Sequence, residues 1–465
     1  MAFDTRALVD RALAAATDTQ SLILEAGALA SVARVYSSIF GGRNGNRMPV
    51  ATVVADSNTW SVAGAKVRDI LLHGGIAIYE PIVLLEEPLH ATYDQVLQIQ
   101  AELAERPHSI PVAVGSGTIN DLTKLAAHRI GRPYMVVPTA ASMDGYAAFG
   151  ASITRDGFKQ TMACSAPAAI VADLDVLAAA PTRLTATGYG DLLGKVTAGA
   201  DWLVADALAV EPIDGAAWAM VQEPLGAALG APERLAAHDP HATEQFFLGL
   251  IISGLAMQAT QSSRPASGAE HLLSHLWEMT GLAEGADPPS HGAKVGVGTV
   301  LVTLLYDRLL AHDLAAIDID ACVAALPTPG AVERAVRAGL PAGEVADRAV
   351  VESLAKHPTA DELRARLGLL RQRWPDLRAR LIGQLLPAAE LRRRLRTLGA
   401  RVLPHEIGVG PDRLRADLLA ARTIRRRYTV LDLAAETGLL ERCGDEVVAA
   451  LTADRAQDTG GMGTA

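Results

Sequence analysis

Between Met48 and Leu177 the chain carries a succession of short apolar runs, each closed by Gly, Pro or Asp. This pattern constrains the fold more than any other. The runs are MPVATVVAD (48–56), GIAIYEPIVL (75–84), IPVAVGSG (110–117), PYMVVPTAAS (133–142) and AAIVADLDVL (168–177). They are mostly continuous rather than alternating, as in strands buried on both faces of a parallel sheet. Helical spacing fills the gaps, as in TYDQVLQIQAELAER (92–106). Residues 1–177 therefore predict an α/β domain with helices on both sheet faces.

After Pro181 strand signals nearly vanish and long Ala/Leu-rich segments take over. Residues 178–452 predict an all-α second domain, and 453–465 a disordered tail. The most apolar stretch, FFLGLIISGLAM (246–257), is shorter than the ~20 residues of a membrane span and predicts a buried helix. Its small Gly249, Ser253 and Gly254 would admit close neighbours. Beyond Asp361 arginine is dense, as in LRARLGLLRQRWPDLRARL, the pattern of amphipathic helices with arginine on the solvated face.

At 465 residues the chain has room for several domains of ~100–200 residues each. A net charge of −10 argues against nucleic-acid binding, without excluding a local basic pocket for a small phosphate. The 3 cysteines, Cys164, Cys322 and Cys443, form neither a disulfide framework nor a zinc motif. The first residues, MAFDTRALVD, lack the apolar run of a secretory leader, which predicts a cytoplasmic protein.

Three segments of the first domain carry candidate binding chemistry. In VAVGSGTINDLTKLAA a strand runs into Gly115-Ser116-Gly117, and a helix begins near Thr118. Glycines allow a sharp turn, and the helix N-terminus offers free N–H groups, a combination suited to a pyrophosphate. Asn120 stands where a Rossmann fingerprint has its third glycine. Asp56, at the end of a predicted strand, is either a helix cap or an acceptor for ribose hydroxyls; the latter role favours NAD over NADP. Thr139, Ser142 and Asp144 follow another strand in a hydroxyl-rich loop that can bond a ribose or a nicotinamide.

In the second domain, RPASGAEHLLSHLWEM (264–279) places His271 and His275 four apart on one helix face, and His291 follows in PPSHGAKVGVG (288–298). Asp191, in TATGYGDLLGKVTAGADW (185–202), lies near a predicted helix start. It is either an acid stabilised by the helix dipole or an oxygen ligand. One carboxylate and two imidazoles would hold Zn²⁺, with Fe²⁺ and Ni²⁺ also suited. The alternatives are solvated helix histidines, or the HDPH cluster (His238 to His241) as the metal site. His128 and His405 read as structural.

ADSNTW, GSGTINDLTK, PTAASMDGYA, APAAIVADLDVL, GYGDLLGK, SRPASGAEHLLSH and HGAKVGVGT occur in this order, with IRRRYTVLDLAAETGLL further on. Together they resemble the sn-glycerol-1-phosphate dehydrogenase family, within the broader group of iron-containing alcohol dehydrogenases and dehydroquinate synthases. The resemblance implies a dehydroquinate synthase-like fold, with an N-terminal domain for NAD or NADP and a helical domain for metal and substrate. It implies Gly115, Ser116, Gly117, Thr118 and Ile119 at the cofactor pyrophosphate, Asp56 at the ribose, and Thr139, Ala140, Ala141 and Ser142 on the nicotinamide side. Asp191, His271 and His291 match metal ligands, and Asp144 and His275 match substrate-contacting, catalytic positions. Where the family often has a cofactor-touching serine, this chain has Ala148.

The implied reaction interconverts dihydroxyacetone phosphate and sn-glycerol 1-phosphate, a step of phospholipid metabolism, in a homo-oligomer. Lys159 and Arg264 are candidates for the substrate phosphate, and Lys195 for an ion pair with Asp191. A sugar-phosphate cyclase of the dehydroquinate synthase type, or a dehydrogenase acting on a different polyol or alcohol, are the alternatives.

Overall fold

In a computed structural model, which describes residues 5–42, 48–155, 158–282 and 288–460, the apolar runs form one parallel sheet. Its strands are β1 (Ser21–Glu25), β2 (Val50–Asp56), β3 (Ile82–Leu84), β4 (Ser109–Gly115), β5 (Met135–Pro138) and β8 (Ala169–Asp173). The 6 strands lie in the order β1-β8-β5-β4-β2-β3, every neighbouring pair parallel. Between β5 and β8 comes an antiparallel hairpin, β6 (Ala151–Arg155) with β7 (Phe158–Met162).

Side chains two apart on each strand line one face: Ala51 and Val53, Val112 and Val114, Met135 and Val137, Ala169 and Val171. They meet Val32, Val35, Tyr36, Phe40, Val67 and Leu71 in a continuous core. Each such valine or leucine, fully withdrawn from water, stabilises the fold by about 1.5–3 kcal/mol.

The strand order has one functional consequence. From β2 the chain passes outward to β3, and from β4 it passes the other way to β5. The carboxyl ends of β2 and β4, which pair through Val54 and Ala113, therefore flank the topological switch point. Ligands of open α/β sheets bind there because the two connections diverge and leave a crevice. Asp56 ends one strand and Gly115 the other.

The helices used below are α1 (Tyr93–Ala104), α2 (Gly117–Arg129), α3 (Thr182–Ala207), α4 (Pro240–Thr260), α5 (Ala269–Met279), α6 (His291–Leu310), α7 (Ala360–Gln384) and α8 (Leu440–Gly460). Every described regular element after Asp173 is helical. Two compact units result: Met1–Leu192 with Ala219–Ser263 and Thr397–Gly399, and Leu193–Trp218 with Arg264–Arg396 and Ala400–Ala465. Helix α3 passes from the first to the second at Leu192–Leu193. Helix α8 runs to Gly460, into the stretch expected as a tail, and residues 461–465 lie outside the described residues.

Within the first unit, α4 is the buried helix its sequence predicts, and its small residues are where neighbours touch. A Cβ on Gly249 would lie 2.8 Å from Ala228 Cβ, and one on Gly254 would lie 2.7 Å from the Asp144 carbonyl oxygen. Gln258, fully buried, accepts from the backbone N–H of Asp18 and Thr19 and donates to Thr19 Oγ1 and to the Ala147 carbonyl. The loop after β5 is also tied from α2. Lys124 is fully buried, and its Nζ donates to the carbonyls of Gly145, Ala148 and Gly150 at 2.7, 2.9 and 3.0 Å. Ala148, which stands where the family often has a serine, accepts through its backbone carbonyl.

Lys124→Met would strand three buried carbonyls and is expected to destabilise the protein by about 2–4 kcal/mol. The readout is a lower urea midpoint at unchanged slope. A loss below about 0.5 kcal/mol would show that water replaces the ammonium.

Candidate metal centre and cofactor turn

A long helix organises the centre. GYGDLLGK lies inside α3, so Asp191 is a mid-helix residue; the expected position near a helix start, where the dipole would stabilise it, is not the one observed. Gly188 and Gly194, poor helix formers, are accounted for by what packs against them. A Cβ on Gly188 would overlap the Ala141 carbonyl oxygen. A Cβ on Gly194 would lie 2.8 Å from Val295 Cγ1, 3.2 Å from Glu270 Cγ and 3.4 Å from His271 Cε1. Residues 188, 191 and 194 are three apart, on adjoining parts of one helix flank. The 140–141 loop packs at one end of this flank, α5 packs at the other, and Asp191 lies between.

Asp191, His271 and His291 offer one ligand atom each within 4.8 Å of one another, the one such group of three or more among the described residues. His238 and His241 are not part of it. His291 is the first residue of α6, not a loop residue; Ser290 Oγ caps that helix by accepting from the Ala293 N–H. The His271 and His291 ring centroids are 5.4 Å apart, with His275 at 6.2 and 5.8 Å from them.

Carboxylates the sequence reading passed over hold the rings. Glu270, fully buried, has Oε1 2.8 Å from His271 Nδ1, and its Oε2 accepts from Thr197 Oγ1 at 2.7 Å. Burial pushes the Glu270 carboxyl up, but the bonds from His271, the Gly268 N–H and Thr197 outweigh it, and the net shift is down. Glu278 has Oε1 3.2 Å from His291 Nδ1 and Oε2 3.3 Å from His275 Nδ1, while Lys294 Nζ lies 3.1 Å from Oε1. A histidine whose Nδ1 donates to a carboxylate presents Nε2 to a metal and is a better donor for it. The donor set and these supporting carboxylates fit a divalent ion of the Zn²⁺ type.

Behind α5, Asp201 accepts from the N–H groups of Ala269 and Val430 and from the Tyr306 hydroxyl. Burial and the neighbouring Glu270 push its carboxyl up to about 7, against the pull of those three donors. Arg264 is 2% exposed; it donates to the carbonyls of Asp201 and Tyr428 and lies 3.2 Å from Glu211. It is a structural tie, which removes it as a phosphate candidate. The side chain of Lys159 lies outside the described residues. Lys195 is fully buried.

In the first unit, the cofactor candidates line the ends of adjacent strands. Gly115 pairs with Pro138, and the Thr139 N–H donates to the Gly115 carbonyl at 3.1 Å. Ser116 leads into α2 with no side-chain cap, leaving the helix's first N–H groups available to an anion. Gly115 is required for packing, since its Cβ would lie 2.5 Å from Ile119 Cβ. Asp56 does cap a helix: its Oδ1 accepts from the Thr59 N–H at 2.7 Å. That leaves Oδ2, which bonds no described residue, for a second acceptor role. Ala140 and Ala141 are buried, and Ser142 Oγ is 3.1 Å from the Tyr146 hydroxyl, which donates to the Ala140 carbonyl. Next in the same loop, the Asp144 N–H donates to Asp191 Oδ2 at 2.9 Å, and Asp144 Oδ2 accepts from Ser253 Oγ at 3.2 Å. The loop after β5 therefore holds the candidate ligand Asp191 directly.

Residues 29–181 match the model of the iron-containing alcohol dehydrogenase family. The fold is shared with a probable glycerol dehydrogenase from Sinorhizobium meliloti (TM-score 0.58, 16% identity, 94% of this chain and 97% of that one). A glycerol dehydrogenase from Schizosaccharomyces pombe is similar as well (TM-score 0.56, 16% identity, 93% and 91%). Relatives named glycerol-1-phosphate dehydrogenase include one from Halalkalibacterium halodurans, 41% identical over 256 residues, 55% of this chain and 64% of that protein. Another, from Pyrococcus furiosus, is 34% identical over 254 residues, 55% of this chain and 70% of that one. The chain belongs to the glycerol-1-phosphate dehydrogenase family. It spans a little under two thirds of the length of the Halalkalibacterium relative, 64%.

Glu270→Gln and Glu278→Gln are expected to weaken metal binding by about 10–100-fold each while the fold persists. Competition with a chromophoric chelator measures the affinity. Unchanged affinity in both variants would mean that the carboxylates do not orient the rings.

Proposed function

We propose that this chain is a metal-dependent, NAD(P)-linked dehydrogenase that interconverts dihydroxyacetone phosphate and sn-glycerol 1-phosphate. The observation that carries the reading is the convergence of Asp191, His271 and His291 within 4.8 Å, in a chain whose relatives bear the name of that activity. A divalent ion held by these three residues, Zn²⁺ by donor type with Ni²⁺ or Fe²⁺ also accommodated, supplies Lewis-acid polarisation of a carbonyl oxygen. The dinucleotide supplies or accepts the hydride.

The chain's own residues bind and orient. The uncapped first turn of α2, with Ser116 to Ile119, receives the pyrophosphate. Asp56 Oδ2 accepts from the adenosine ribose while Oδ1 keeps the helix cap. Thr139 to Ser142 form the nicotinamide-side wall, and Asp144 accepts from a substrate hydroxyl. Burial first, and the nearby Arg425 charge next, push the His275 imidazole down to about 3. It is thereby held neutral, far below the range in which general bases work best. His275 acts by orienting a substrate hydroxyl through Nε2, with Nδ1 held by Glu278. The dinucleotide reading and the buried free thiols Cys164 and Cys443 support a cytoplasmic location. No described helix is long and apolar enough to cross a membrane.

The test is NADH and NADPH oxidation with dihydroxyacetone phosphate, before and after chelation. Turnover is expected to disappear on chelation and return with Zn²⁺, Ni²⁺ or Fe²⁺. Asp191→Ala and His271→Ala should abolish it while dinucleotide binding survives. Near-normal turnover in either variant contradicts the site, and absence of net NADH consumption points to a cyclase that keeps its NAD.

Asp56→Ser preserves an N-cap acceptor but removes the charge that repels a 2′-phosphate. The ratio of NADPH to NADH efficiency is expected to rise about tenfold or more, a change of ~1.4 kcal/mol. An unchanged ratio takes Asp56 out of the ribose site.

A further inference from the structure

The arginine-rich segment IRRRYTV contains a cation that the fold does not use. The turn Ala421–Thr423 packs against α5, and beyond it the chain is fastened to the same region. Arg427 Nη1 donates to the Ser267 carbonyl at 2.6 Å, Arg264 Nη1 donates to the Tyr428 carbonyl at 3.1 Å, and the Val430 N–H donates to Asp201 Oδ1 at 2.8 Å. On its other side the segment is held by Ser353 Oγ, which donates to the Thr423 carbonyl at 3.0 Å. Lys356 Nζ donates to the Arg427 carbonyl at 3.2 Å, and Glu352 Oε2 accepts from the Arg426 N–H at 2.9 Å.

The other guanidiniums of the segment are engaged. Arg422 lies 3.2 Å from Asp432 and Arg426 3.3 Å from Glu352. Arg425, half-buried between them, makes no hydrogen bond and no ion pair with any described residue. It is nevertheless electrostatically close to the histidine helix, because its charge bears on His275, and Glu278 and Glu352 bear on it together with Arg348. Burial and Arg348 push its guanidinium down from the usual arginine value against the pull of Glu352 and Glu278, so the fold draws a cation out of water and gives it no hydrogen-bond acceptor among the described residues. Leaving a desolvated charge unpaired is costly, and a phosphate dianion that accepts two parallel N–H bonds offsets that cost.

We propose that Arg425 is the phosphate-binding residue of the substrate site, the group that selects a small ketone or polyol phosphate over its unphosphorylated counterpart beside His275. The inference rests on the dehydrogenase reading above and adds the residue that recognises the substrate's anionic end. It replaces Arg264, which is consumed by structural bonds. Arginine suits this position better than lysine, since its planar fork stays charged even when partly desolvated and matches a phosphate bidentately.

Arg425→Met and Arg425→Lys in the full, metal-loaded protein test it. With dihydroxyacetone phosphate, the methionine variant is expected to lose about 10–100-fold in kcat/KM, mainly through KM, as for a lost charged hydrogen bond. With unphosphorylated dihydroxyacetone it should change by less than about twofold, and lysine should restore part of the loss. Equal losses on both substrates, or no loss on the phosphorylated one, would overturn the proposal. Binding of inorganic phosphate, measured by calorimetry on wild type and Arg425→Met, decides the point without turnover: binding should weaken in the variant, and equal binding refutes the assignment. If the wild type reduces no phosphorylated ketone but its phosphate binding still depends on Arg425, the dehydrogenase reading fails and the anion site stands.

Discussion

Two imidazoles share one cation most tightly when other groups fix their orientation. Here that constraint is met by Glu270 and Glu278, each buried and each bonded to the Nδ1 of a candidate ligand. Buried carboxylates are expensive to desolvate and persist only when fully partnered. The surroundings follow from that need. Thr197 and the Gly268 N–H complete the shell of Glu270, while Lys294 and His275 complete that of Glu278.

The same economy links the centre to the cofactor turn. Helix α3 carries a glycine on either side of Asp191, and each admits a neighbour that a methyl group would exclude. The loop after β5 touches the helix at Gly188 and then donates its Asp144 N–H to Asp191. That loop starts beside the Gly115 turn and is fastened by Lys124, Tyr146 and Gln258. A short run of hydrogen bonds thus joins the Gly115 turn to Asp191.

Much of this was legible in the sequence, because buried parallel strands are written as apolar runs. The runs at 48–56, 110–117, 133–142 and 168–177 each contain a strand. The run at 75–84 gives only Ile82–Leu84, because it lies at the sheet edge and Pro81 lacks a donor N–H. Strand β1 is only 5 residues long and follows a polar stretch, and the strands of the hairpin β6–β7 are 5 residues each, too short for their alternation to stand out. Glycines that mark turns in most contexts hid the continuity of α3 around Asp191, since here they serve packing. That Asp191, His271 and His291 belong together is legible by pattern and likeness, and the structure brings them within 4.8 Å. Their supporting acids are not legible in this way, although Glu278 lies three residues after His275 on one helix, a spacing that predicts contact. Arg425 was hidden among neighbours of the same type. Only the structure separates the arginines of this stretch that bond a carboxylate or carbonyl from Arg425, which bonds no described residue.

The central claim is that one carboxylate and two carboxylate-oriented imidazoles share a single ion. Anomalous diffraction from crystals of the zinc-loaded protein, collected on both sides of the zinc absorption edge, tests it most directly. The account predicts one strong peak per chain, about 2.0–2.2 Å from an Asp191 oxygen and from Nε2 of His271 and of His291. A peak at His238–His241, or one bound through Nδ1 with Glu270 and Glu278 turned away, would contradict it.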